Sequence, residues 1–161
     1  MTAEDSYNHD LRQQLLAWAN EDGERPEGFP NQLDQLHPRD GVYVDLVRSD
    51  RLCVADKQAA IRRASPDQIH RMTWSEEVCR QPALWEALFE AGNWRTHHRL
   101  VRHTSDHDRQ TRLLTSLLAS SPEHALHLLA TTDELEQARL TTEARESLSE
   151  RRREWSTRCN R

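Results

Sequence analysis

The chain has 161 residues, a formal net charge of −5 and a mean hydropathy of −0.94. Leu, Ile, Val and Phe supply 30 of the 161, just under the roughly 20% at which disorder becomes a concern, but the high net charge that completes that signature is missing. No apolar run approaches the roughly 18 residues of a membrane span, and overall acidity argues against free nucleic-acid binding, where a basic domain is expected.

Five Trp residues (Trp18, Trp74, Trp85, Trp94, Trp155) offer large surfaces for burial, which predicts a folded chain with a narrow core and a charged exterior. Leu, Ala, Glu, Gln and Arg dominate while Gly and β-branched aliphatics are few, so the expected fold class is all-α. Cys53, Cys79 and Cys159 form no CxxC pair and no zinc pattern, and the polar, acidic start lacks the basic and apolar regions of a secretory signal. A cytoplasmic location with reduced thiols is the expectation.

Residues 1–50 hold 11 acids against 4 bases and contain most of the Gly and Pro. They predict an acidic N-terminal helix followed by an irregular connector. Leu11, Leu15 and Trp18 fall at i, i+4 and i+7, one stripe of a helix over about residues 8–21. Val42, Val44 and Leu46 alternate, so residues 41–48 read as extended or as the start of a helix. Residues 51–161 form the second region, a helical core within one domain overall. There Ser65-Pro66-Asp67-Gln68 predicts an N-cap, a first-position proline and a capping-box Gln. Ser75-Glu76-Glu77 predicts another start, Gln81-Pro82 a break, and Gly92 a stop after the apolar face of Leu84, Trp85, Leu88 and Phe89. Leu113, Leu114, Leu117 and Leu118 form a further apolar face. Ser120-Ser121-Pro122-Glu123 repeats the capped-proline start, and Asp133 can cap a last helix to about Trp155.

Ser65, Asn93 and Ser121 lie 28 residues apart, each a capping residue type, with a second helix expected about ten to fourteen residues into each repeat. Helical hairpins of that length would stack as a short HEAT-like α-solenoid; an irregular helical bundle accommodates the same starts.

The densest polar cluster is His97-His98, His103 and Asp106-His107-Asp108. An adjacent His and Asp in an all-helical chain is similar to the metal-dependent HD phosphohydrolases. That resemblance implies His107 and Asp108 as the pair, His70 or His98 as the upstream ligand and Asp133 as the downstream one. The family's pair lies within an apolar helical stretch, whereas Ser105 to Arg109 has the composition of an exposed helix start, and capping accounts for the same residues. His124 and His127, at i and i+3, have metal-ligand spacing, but the flanking Leu126, Leu128 and Leu129 favour a structural histidine. Cys79 beside Arg80 suits the buried face of its helix better than a reactive thiol. Nucleophile elbows and glycine-rich phosphate loops are absent.

Arginine outnumbers lysine by 21 to 1, a bias that a GC-rich coding sequence produces without any function. Its physical consequence is bidentate recognition of phosphate or carboxylate and stacking on aromatic rings. Arg95, Arg99, Arg102, Arg109 and Arg112, interleaved with Trp94, His97, His98 and His103, make the candidate binding surface, with Arg62, Arg63 and Arg71 extending it. Arg95, Arg99 and Arg102 are spaced to share one helical side, with no acid nearer than Asp106 and Asp108 past the turn. The expected function is a non-enzymatic protein-binding module: an adaptor, inhibitor or assembly subunit whose partner is another protein, with no catalytic residue, cofactor, metal or membrane. The alternative is a helical subunit of a nucleoprotein complex touching the phosphate backbone; a metal-dependent hydrolase at the His-rich segment comes third.

Overall fold

The structure, a computed structural model, describes residues 3–121 and 123–125 together with Arg153 and Thr157. Every regular element among the described residues is helical. None of these helices is long and apolar enough to cross a membrane. The expected last helix from Asp133 to Trp155 lies outside the described residues. The chain divides into two compact units, Met1–Thr96 and His97–Arg161, with the division falling inside one helix.

In the first unit, α1 (Ala3–Asn20) buries Leu11, Leu15 and Trp18, the stripe that their spacing predicts. It ends where the Gly23 amide returns to the Ala17 carbonyl, and a Cβ on Gly23 would strike the backbone of Ala17 and Trp18. Trp18 then packs edge-on against Phe29, with ring centroids 4.8 Å apart. The connector contains a 3₁₀ turn, Asn31–Gln35, that buries Leu33.

Residues 42–48 resolve the open choice between extended chain and helix: they are α2 (Val42–Arg48). Its buried residues are Val42, Tyr43, Leu46 and Val47, a helical face, whereas Val44, the middle member of the apparent alternation, is only half-buried. The Asp40 carboxylate accepts the Val42 amide at 3.0 Å and so starts the helix. Tyr43 donates its hydroxyl to the Leu33 carbonyl at 3.1 Å, and burial pushes its pKa up to about 12.

Next come α3 (Val54–Arg63), α4 (Pro66–Met72), α5 (Glu76–Arg80) and α6 (Pro82–Ala91). Ser65 and Ser75 cap α4 and α5 by accepting the amides of Gln68 and Val78, each at 3.4 Å. The expected capping-box return does not form. Gln68 is buried and sends its side-chain amide to the Arg39 carbonyl at 2.9 Å instead, because α4 packs on α2 and leaves that carbonyl to be satisfied. The 65–92 stretch thus holds three helices rather than a hairpin of two, since Pro82 lacks an amide to continue α5. Gly92 stops α6 with φ −80°, so its role is close approach rather than left-handed backbone: a Cβ there would meet Thr96 and the Leu88 carbonyl. In packing, α1 lies on α2, α2 on α3 and α4, and α6 against α3, α4 and α5. Leu84, Trp85 and Leu88 of α6 are accordingly fully enclosed.

Two ion pairs tie the acidic N-terminal third to the rest of this unit, Arg25–Asp56 at 2.9 Å and Arg63–Asp34 at 3.0 Å, and a third, Arg12–Asp40 at 3.2 Å, closes within it. Arg25 grips Asp56 with two nitrogens and lies over the Phe29 ring. The hydrogen bond from Arg25 holds the Asp56 carboxyl below the ordinary carboxylate range.

The second unit contains the end of α7 (Trp94–Leu100), a 3₁₀ turn (Val101–His103) and α8 (His107–Ser120). Thr104 makes the corner, donating its hydroxyl to the Leu100 carbonyl at 2.6 Å while its own carbonyl accepts the Gln110 side chain at 2.6 Å. Asp106 caps α8 as expected, accepting the amides of Asp108 at 2.8 Å and Arg109 at 3.3 Å. Leu100, Leu113, Leu114, Leu117, Leu118 and Ala125 are buried. Beyond α8, the amides of His124 and Ala125 bond to the Ser121 carbonyl, a helical turn where the third capped start is expected.

Candidate functional site

The candidate residues are set by α7, the 3₁₀ turn after it and the first half of α8. Asn93 opens α7 by accepting the Arg95 amide at 3.1 Å. Within the first unit, Trp94 is half-buried and Arg95 is exposed, with the guanidinium carbon 5.5 Å from the centre of the Trp94 indole. Sequence spacing put the nearest acids past the turn at Asp106 and Asp108. The structure instead brings Asp67, in the first turn of α4, to 3.9 Å from Arg95. Both side chains are more than half exposed and the distance is long, so the pair is weak and leaves the guanidinium open to solvent.

Within the second unit, His98 and Arg99 are half-buried and Arg102 is exposed. The Arg99 Nε is enclosed with no hydrogen-bond partner among the described residues. Helix α7 ends at Leu100, so Arg102 belongs to the 3₁₀ turn rather than to the helix that carries Arg99. Leu100 is fully buried, whereas Val101 beside it is only half-buried. On α8, Arg109 is half-buried and Arg112 is exposed, three residues apart and therefore on neighbouring positions of one face.

Two residues grouped with this surface serve the fold instead. His97 is buried, with Nδ1 3.0 Å from the Ser116 hydroxyl on α8. Arg63 is held by Asp34, so the acidic segment neutralises part of the proposed extension. Cys79 is buried with its thiol toward the Thr73 carbonyl, and the adjacent Arg80 pairs with Glu76. Among the described residues, no group of three His, Cys, Asp or Glu side chains is arranged to hold a metal ion. Asp106 and Asp108 stand at a helix start, and Asp133 lies outside the described residues.

Trp74 reverses its expected role. Expected among the buryable tryptophans, it is 60% exposed. Its position between Thr73, the C-cap of α4, and Ser75, the N-cap of α5, places it on no helical stripe. That position was the available signal. The chain, compared with models of known protein families, with curated proteins and with solved structures, matches none of them.

Proposed function

We propose that this chain is a non-enzymatic, helical protein-binding module, an adaptor, inhibitor or assembly subunit, that meets its partner through the arginines of α7 and the turn after it. The supporting observation is Arg95: exposed, laid on the Trp94 ring and only loosely paired with Asp67. A guanidinium held by stacking keeps its planar fork ready for a carboxylate, at a smaller ordering cost than a free side chain. Arg102 and Arg112 are also exposed, and α8 buries Leu113, Leu114, Leu117 and Leu118 in the core.

The test is triple charge reversal, Arg95→Glu, Arg99→Glu and Arg102→Glu, in affinity capture from the native host followed by mass spectrometry. Helix content stays unchanged and the specific partner is lost. Capture that survives the reversal removes this surface from the proposal. A captured nucleic acid, with affinity falling steeply in salt as counterions are released, transfers the function to a nucleoprotein complex.

A further inference from the structure

The corner between α4 and α5, within the first unit, carries an aromatic and basic patch. Trp74 stands there with most of its indole in solvent. An exposed tryptophan is costly to leave in water and is among the residues most enriched at binding hot spots. The His70 ring meets it edge-on, centroids 6.2 Å apart, and its backbone amide bonds to the Arg71 carbonyl at 3.1 Å. The same carbonyl oxygen accepts Nη2 of Arg48 from α2 at 3.3 Å. One carbonyl therefore anchors a guanidinium from a second helix within a turn of the indole. Arg71, exposed in the last turn of α4, supplies another cation.

Neither Arg48 nor Arg71 makes a contact ion pair among the described residues, unlike Arg12, Arg25, Arg63, Arg80 and Arg95, although Arg48 is close enough to Asp45, three residues back on α2, to favour its charged form. Glu76, which follows on α5, is taken by Arg80. Two exposed arginines that meet at one carbonyl, three residues from an exposed indole, complement an apolar side chain flanked by carboxylates. We infer that Trp74, Arg48 and Arg71 form a docking site for a short acidic peptide segment of a protein partner. In it an apolar residue covers the indole and neighbouring Asp or Glu side chains reach the two arginines.

Charge selects the peptide over single-stranded nucleic acid, which would also stack on an indole. Residues 1–96 carry 17 Asp and Glu against 11 Lys and Arg. That field opposes a continuous polyphosphate, whereas two carboxylates act over contacts shorter than the screening length of about 8–10 Å.

The experiment pans a random dodecapeptide phage library on the immobilised full chain and measures a synthetic copy of the enriched peptide by fluorescence anisotropy. The enriched peptides carry an apolar residue flanked by Asp or Glu. Trp74→Ala, and separately Arg48→Glu with Arg71→Glu, weaken binding at least about tenfold. Circular dichroism confirms that both variants remain folded. The α7 triple reversal is read by native-host capture and Trp74→Ala by peptide binding, so failure of the α7 proposal and failure of this one are distinguishable. The inference is overturned if no peptide enriches, if the enriched peptides lack acids, or if binding survives Trp74→Ala. Trp74-dependent binding of a 20-residue oligothymidine in place of acidic peptides also overturns it.

Discussion

Leu88→Ala is the perturbation whose size the packing of α6 determines most directly. Leu88 is fully buried, and α6 is enclosed by α3, α4 and α5, with Trp85 and Phe89 of the same helix stacked at 5.3 Å. Truncation removes three carbons from the core, about 2.4 kcal/mol at about 0.8 kcal/mol per methylene. Walls held by three helices cannot close fully over the void, and a residual cavity of about 40 Å³ adds about 1 kcal/mol. The expected loss is about 3–4 kcal/mol, within the usual range of about 2–5 kcal/mol for such sites. For a chain of this length that lowers Tm by about 6–16 °C, at about 2–4 °C per kcal/mol. Guanidinium denaturation followed by far-UV circular dichroism measures it, with Glu90→Ala on the exposed side of α6 as a control expected within about 0.5 kcal/mol of the parent. A loss below about 1 kcal/mol for Leu88→Ala would refute the assignment of this face to a rigid core.

Leu117→Ala tests the second unit in the same way, since Leu117 is fully buried on α8; a loss of about 2–5 kcal/mol is expected by the same denaturation assay. Asp106→Ala removes the side chain that accepts two amides at the start of α8 and costs about 0.5–2 kcal/mol, whereas Asp106→Asn keeps an acceptor and costs less. Asp56→Asn probes the Arg25 pair through pH. The depressed pKa of Asp56 means that its contribution is present above the unfolded value near about 3.9 and is lost as pH falls through the folded one. The stability difference between parent and variant is therefore flat from neutral pH down to about 5 and shrinks below about 4. A difference that widens on acidification contradicts the pair's role.

The legible parts of this chain are those decided within a few residues. Ser65, Ser75 and Asp106 cap helices because their oxygens reach amides two or three positions ahead, and Pro66 and Pro82 sit at first helical positions because they lack an amide and their φ suits one. The stripes of Leu11, Leu15 and Trp18 and of Leu113, Leu114, Leu117 and Leu118 are buried because one face of a helix must leave water wherever its neighbours come from. Residues 42–48 mark the edge of this legibility: over seven residues, alternation and helical periodicity select overlapping apolar positions, and packing of Val42, Tyr43, Leu46 and Val47 selects the helix.

The candidate surface depended on distant contacts, so the sequence supplied its residues but not their partners. Periodicity separates Arg99 and Arg102 from the buried Leu100, but it says nothing of an acid 28 residues away, and Asp67 meets Arg95 through packing within the first unit. His97 shares its segment with His98, yet Ser116 on the next helix draws it into the core. Gln68 has capping-box spacing, yet a carbonyl at Arg39 claims it. Trp74 has the composition of a core residue and stays in water because two capped helix ends meet beside it and turn it away from every apolar face. Local bonds and helical periodicity act over one or two turns and are written into residue order. The pairing and exposure of a polar or aromatic side chain are set by which distant groups the fold brings within about 4 Å, and only the assembled helices define those distances.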